Sequence, residues 1–112
     1  MEPLERSLAL IDAYNRRDAD AIAAVLHPDI EYVRPGPRLA AGPDSIIRLY
    51  RSDWERNDAT IAVHSSMSDG DRVTVEIEVT SASGATFQGA AFHRWDDGLL
   101  VGYRAYLDPI RH

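Results

Sequence analysis

From residue 59 onward the chain reads as four consecutive strands, near 59–67, 71–80, 84–95 and 99–108, joined by short turns. A meander of this kind has one apolar face, and that face must be covered by something else. Register decides which residues it holds, because a one-residue slip turns every side chain over. At Trp95-Asp96-Asp97-Gly98-Leu99 a two-residue loop would place Arg104 and Asp108 with Phe87 and Trp95. A three-residue loop with a left-handed Gly98 instead groups Phe87, Gly89, Ala91, His93 and Trp95 with Leu99, Val101, Tyr103, Ala105 and Leu107. The second register is far more apolar and is the one expected. Loops at Ser68-Asp69-Gly70 and Ser81-Ala82-Ser83 extend the same inner face through Ile61, Val63, Ser65, Met67, Val73, Val75, Ile77 and Val79. Arg72, Glu76, Glu78, Arg94, Arg104, Phe92, Leu100 and Tyr106 then face outward, and the last three form a mixed patch suited to a homodimer.

The cover comes from the first 57 residues, which read as helical around one short strand. Leu4, Leu8, Ile11 and Tyr14 recur at helical spacing behind Pro3. Asp18 can cap a second short helix carrying Ile22, Val25 and Leu26, which His27-Pro28-Asp29 ends. Ile30, Tyr32 and Arg34 alternate with Glu31 and Val33 as a strand, and Pro35-Gly36-Pro37 stops it. Gly42-Pro43-Asp44-Ser45 opens a third helix burying Ile46 or Ile47, Tyr50 and Trp54. Helices first and strands after argue an α+β fold, and 112 residues suit one domain over 1–112.

Composition removes whole classes of chemistry. No cysteine is present, so disulfides, thiolate nucleophiles and cysteine metal sites are excluded. All twelve basic residues are arginine, which excludes lysine Schiff bases and keeps each basic charge fixed. The net charge of −6 with no basic stripe gives nucleic acid little to bind. No apolar run approaches the roughly 20 residues of a membrane span, and Met1-Glu2-Pro3 does not open a signal peptide. A cytoplasmic protein without membrane partners is expected. No H-E-x-x-H or related spacing occurs, so no metal or cofactor is expected.

Two stretches carry a family resemblance. Tyr14-Asn15-Arg16-Arg17-Asp18-Ala19-Asp20-Ala21-Ile22 followed by Leu26-His27-Pro28-Asp29-Ile30 resembles the opening of SnoaL-like domains of the nuclear transport factor 2-like superfamily. Trp95-Asp96-Asp97-Gly98-Leu99-Leu100 followed by Tyr103-Arg104-Ala105-Tyr106-Leu107-Asp108-Pro109 resembles their closing hairpin. The resemblance implies a curved, mostly antiparallel, cone-shaped sheet wrapped around three N-terminal helices, with an internal pocket. Ketosteroid isomerases, limonene epoxide hydrolases and polyketide cyclases are relatives on this scaffold. The positions of the isomerases' oxyanion-hole Tyr and Asp and of their base resemble Leu10, Ala91 and Arg34, all replaced. Of the epoxide hydrolases' set, Tyr32 matches the Tyr, Arg34 stands at the Asn and Ala105 at one Asp. The inward Val73, Val75 and Ile77 leave no place for the paired Arg and Asp.

The remaining inward polar residues define the candidate site. His93 is the sharpest, because an imidazole with a pKa near 6.5 can take and give a proton at neutral pH, and Gly89 and Ala91 leave room beside it. It could instead be a core histidine bonded to Asp71, its expected cross-strand neighbour. Arg34 at the pocket mouth could clamp a carboxylate or enolate, or pair with Asp29 or Glu31. Tyr14, Tyr32 and Tyr103 offer phenol donors, or are core residues with hydroxyls satisfied by backbone. Trp54 is expected to wall the pocket. The expected function is therefore a cofactor-independent acid–base enzyme on a small, largely apolar oxygenated molecule, of cyclase, isomerase, dehydratase or hydrolase type. His93, Arg34 and Tyr32 would be catalytic, and Tyr14, Trp54, Tyr103 and Ala91 would bind substrate. A non-catalytic binding protein or a dimeric association module is the alternative.

Overall fold

A computed structural model describes residues 1–34 and 38–110. Helix α1 (Pro3–Asn15) and the short α2 (Ala19–Ala23) are followed by strands β1 (Leu26–Arg34) and β2 (Arg38–Ala41). Helix α3 (Pro43–Ser52) then runs into one wide π-helical turn, Asp53–Asn57. Strands β3 (Thr60–Asp69), β4 (Arg72–Thr80), β5 (Thr86–Asp96) and β6 (Leu99–Pro109) complete the fold. The architecture is α+β: one curved, unclosed six-stranded sheet in the order β2-β1-β6-β5-β4-β3, with the three helices on its inner face. All neighbours are antiparallel except β1 and β6, which run parallel. Among the described residues no helix is long and apolar enough to cross a membrane.

The helices form where the sequence signals them. Pro3 occupies the first turn of α1, and Asp18 accepts from the Ala21 amide as the N-cap of α2. Leu10 and Ile11 of α1, Ile22 of α2 and Ile46 of α3 are buried against Val73, Val75 and Ile77 of β4 and against Trp95 and Leu100. The side-chain amide of Asn15 both donates to the carbonyl of Ile61 and accepts from its amide, each at 2.8 Å, so the end of α1 fastens edge strand β3. Strand β1 starts at Leu26, earlier than the proline at 28 suggests, with an irregularity before Glu31. Strand β2 is an addition to the expected elements. The stop expected at Pro35-Gly36-Pro37 lies outside the described residues.

Two β-bulges change the expected registers. Asp96 pairs with Leu99 across a two-residue turn in which Asp97 and Gly98 have φ of 50° and 78°, as a type I′ hairpin requires. The extra residue sits further along, at Val101, where the pairing slips between Arg94 and Trp95. Beyond the bulge Tyr103, Ala105 and Leu107 share the inner face with His93, Ala91 and Gly89, as expected. Before it Leu100 pairs with Trp95 and is fully buried, which removes it from the outer patch. On β3 a slip between Val63 and Ser65 puts Ser66 and Ser68 opposite Val75 and Val73. Met67 and Ser65 therefore turn outward, contrary to expectation, and Met67 is 71% exposed.

Candidate active site

Between the helices and the concave sheet lies a cavity of about 530 Å³. Much of its wall is aliphatic, including Leu10, Ile11, Ile77, Val79, Ala91, Ala105 and Leu107. Exposed Asn57, Ser83, Ala85 and Phe87 mark its open end, where the Ala82 amide donates to the Asn57 carbonyl at 2.8 Å. Polar groups reach it from six elements, Tyr14 on α1, Tyr32 and Arg34 on β1, Tyr50 on α3, Asp53 on the π turn, His93 on β5 and Tyr103 on β6, besides Ser81 and Ser83 of the β4–β5 loop.

The Asp53 carboxylate organises one group. Its Oδ2 accepts from the Tyr14 hydroxyl at 3.0 Å and its Oδ1 from Arg34 Nη2 at 2.9 Å. The ion pair is largely shielded, with the two side chains 21% and 14% exposed. Burial opposes the Arg34 charge, but Tyr32 and the bonded Asp53 outweigh it and hold the guanidinium above its ordinary pKa. Burial and then the Asp53 charge and hydrogen bond push the Tyr14 phenol up, so it stays protonated as a donor. Arg34 Nη1 is buried without a partner among the described residues. The pairing of Arg34 with Asp29 or Glu31 is not formed; its partner comes from the turn after α3.

The second group is a row of rings across three strands. Tyr32 stacks on Tyr103 at 4.4 Å between centroids and 10° between planes, and Tyr103 stacks on His93 at 5.2 Å and 25°. The register makes these residues lateral neighbours, Tyr32 with Tyr103 and Tyr103 with His93. The Tyr32 hydroxyl donates to the Tyr50 hydroxyl at 3.0 Å, and burial pushes both phenols up. Burial likewise raises Tyr103. Neither Tyr14 nor Tyr32 gives its hydroxyl to backbone.

His93 is buried, and its Nδ1 lies 2.7 Å from the hydroxyl of Ser7 on α1. Ser7 also accepts from Trp95 Nε1 at 2.9 Å. The expected contact with Asp71 is absent because His93 pairs with Val73; Asp71 accepts the Trp95 amide instead. Burial pushes the imidazole down to about 4, so at neutral pH His93 is uncharged and does not titrate near 6.5. Gly89 does not make room for a ligand. A Cβ there would lie 1.7 Å from the Tyr106 carbonyl oxygen, so the close approach of β6 demands glycine.

Trp54 does not line the cavity. Its ring packs against Tyr14 at 5.6 Å and Tyr50 at 6.3 Å, the Arg17 guanidinium lies 5.9 Å from its centroid, and its Nε1 is buried without a partner among the described residues. Asp53, beside it, reaches the cavity instead. Sequence reasoning passed over Asp53, although it lies three residues beyond Tyr50 on the same helical stripe. Among the described residues no three His, Asp or Glu side chains converge as metal ligands.

The family model for the SnoaL-like domain matches residues 8–103. No curated protein matches the sequence. Among solved structures, a putative polyketide cyclase from Sinorhizobium meliloti superposes with a TM-score of 0.84 at 19% identity, covering 91% of this chain and 94% of that one. An NTF2-like protein of unknown function from Cytophaga hutchinsonii gives 0.83 at 17% identity, covering 96% and 91%. An LEH-like epoxide hydrolase from M. tuberculosis gives 0.83 at 23% identity, covering 95% and 82%. These likenesses establish the fold.

Proposed function

Because the chain belongs to the SnoaL-like domain family, we propose that it converts a small, largely apolar oxygenated molecule by acid–base chemistry without a cofactor. The observation that carries this reading is the Asp53 carboxylate, held on both oxygens by Tyr14 and Arg34 in the wall of a mainly apolar cavity. A carboxylate so oriented is a proton acceptor, and Arg34 beside it offsets negative charge developing on a bound oxygen. The cyclase and epoxide hydrolase among the structural neighbours support a reaction of cyclase or hydrolase type. The test is turnover of a panel of small epoxides, β-diketones and β-hydroxy ketones by the wild type and by Asp53→Asn. Turnover should fall by about 10²–10⁴-fold in the variant. Equal turnover by both proteins would remove Asp53 from the chemistry, and panel members that bind without reacting would favour the non-catalytic binding protein.

We also propose that the protein is a homodimer through the outer sheet face. Phe92 and Tyr106 are 42% and 57% exposed and pack edge-to-face at 5.9 Å. The register puts Arg72, Arg94 and Arg104 toward one end of this face and Glu76, Glu78 and Asp108 toward the other. A two-fold axis near the aromatic pair would set the arginines of one copy over the acids of the other.

A further inference from the structure

The buried side of His93 fixes where its proton resides. Three groups share one water-excluded point: the Trp95 indole, the Ser7 hydroxyl and the His93 imidazole. Ser7 is fully buried and His93 is 3% exposed. An indole N–H can only donate, so Ser7 Oγ must accept from Trp95 over the 2.9 Å contact. The hydroxyl then has one proton of its own to place. Among the described residues its other side-chain partner is His93 Nδ1 at 2.7 Å. If Nδ1 carried a proton as well, two donors would point at Oγ and the hydroxyl proton would be left buried without an acceptor, which is costly. The arrangement that leaves no donor unpaired at this shared point has Ser7 donating to a bare Nδ1. The ring proton is then on Nε2, which has no acceptor among the described residues.

We infer that Ser7 and Trp95 lock His93 as its Nε2–H tautomer, so that the cavity's histidine is a hydrogen-bond donor and not a general base, and takes an oxygen that accepts a hydrogen bond, of carbonyl or epoxide type. This revises the role expected for His93 and leaves proton abstraction to Asp53. The ligand half of the inference rests on the cavity being a substrate site; the tautomer does not. His93 and Asp53 then differ in sign: one supplies a proton bond to an oxygen, the other accepts a proton. Ser7 and Trp95 are positioning residues, acting only through the imidazole.

The experiment is long-range nitrogen–proton NMR of the imidazole in the full chain at neutral pH. Nδ1 should have the shift of an unprotonated ring nitrogen and Nε2 that of a protonated one. The reverse assignment, or an equal mixture, overturns the tautomer. Trp95→Phe removes the indole donor, frees Ser7 Oγ to accept from the ring, and should relax the wild-type preference toward a mixture; an unchanged preference overturns the relay. Should that variant not fold, Ser7→Cys weakens the same bridge with little change of shape and carries the same two readings. Cyclohexanone and the oxygen-free methylenecyclohexane then serve as matched probes. Cyclohexanone should shift the Nε2 proton downfield and the hydrocarbon should not. An unmoved Nε2 proton overturns the ligand assignment alone, while failure of the functional reading registers separately, in the Asp53→Asn comparison.

Discussion

At the scale of single residues, His93 and Gly89 make opposite demands on their surroundings. In the fold His93 is held neutral, with its pKa lowered by burial to about 4. In the unfolded chain it takes up a proton near pH 6.5. Between those values the unfolded state binds more protons, so stability falls as the pH drops from roughly 6.5 to 4 and levels off below. The loss attributable to His93 should be at most about 3 kcal/mol, measured as the difference between wild type and His93→Gln in urea melts across that range. Wild-type and variant curves that stay parallel would mean His93 is not desolvated in solution. At Gly89 the constraint is steric. Gly89→Ala drives a methyl into the Tyr106 backbone and should cost about 1–3 kcal/mol or more, read as a lowered urea midpoint. The site was legible at the residues the sheet alternation places inside: Tyr32, Ala91, His93 and Tyr103. Hidden were the partners. Asp53 and Ser7 reach the cavity wall or its backing from helices, and only the packing of α1 and the π turn against the sheet brings them to Arg34 and His93.

At the scale of elements, the closing hairpin is specified by its turn. Asp97 and Gly98 both need positive φ, so Asp97→Gly should be nearly neutral, whereas Gly98→Val should cost about 1 kcal/mol or more by thermal melting. Comparable losses for the two variants would remove the type I′ turn. Apart from β2, the order of helices and strands was legible, because hydrophobic period and turn chemistry both act locally. The inner face of β4 and the far half of β6 followed from the same alternation. The bulges at Val101 and between Val63 and Ser65 were not readable, since apolar pattern alone satisfies either a three-residue loop or a tight turn with a later slip. Leu100 shows the difference: alternation from the assumed loop sends it out, and the real turn buries it against Trp95.

At the scale of the whole molecule, the charged ends of the outer face predict a measurable self-association. Sedimentation should give a species of twice the 12.5 kDa chain mass, weakened by added salt and by Phe92→Asp. A single-chain mass at micromolar concentration would sink the dimer. The parallel pairing of β1 with β6 has a consequence in time. Every other neighbouring pair of strands joins segments adjacent in sequence, but β1 meets its inner neighbour only across some seventy intervening residues. On the ribosome β1 therefore emerges early and keeps one ladder of amides and carbonyls open until Tyr103 has followed it out. The ring stack that spans this seam cannot assemble from a nascent fragment. Synthesis halted after β5 would leave β1 and β5 as two unpaired edges, each a template for another chain, so the step that completes the cavity also removes those two edges.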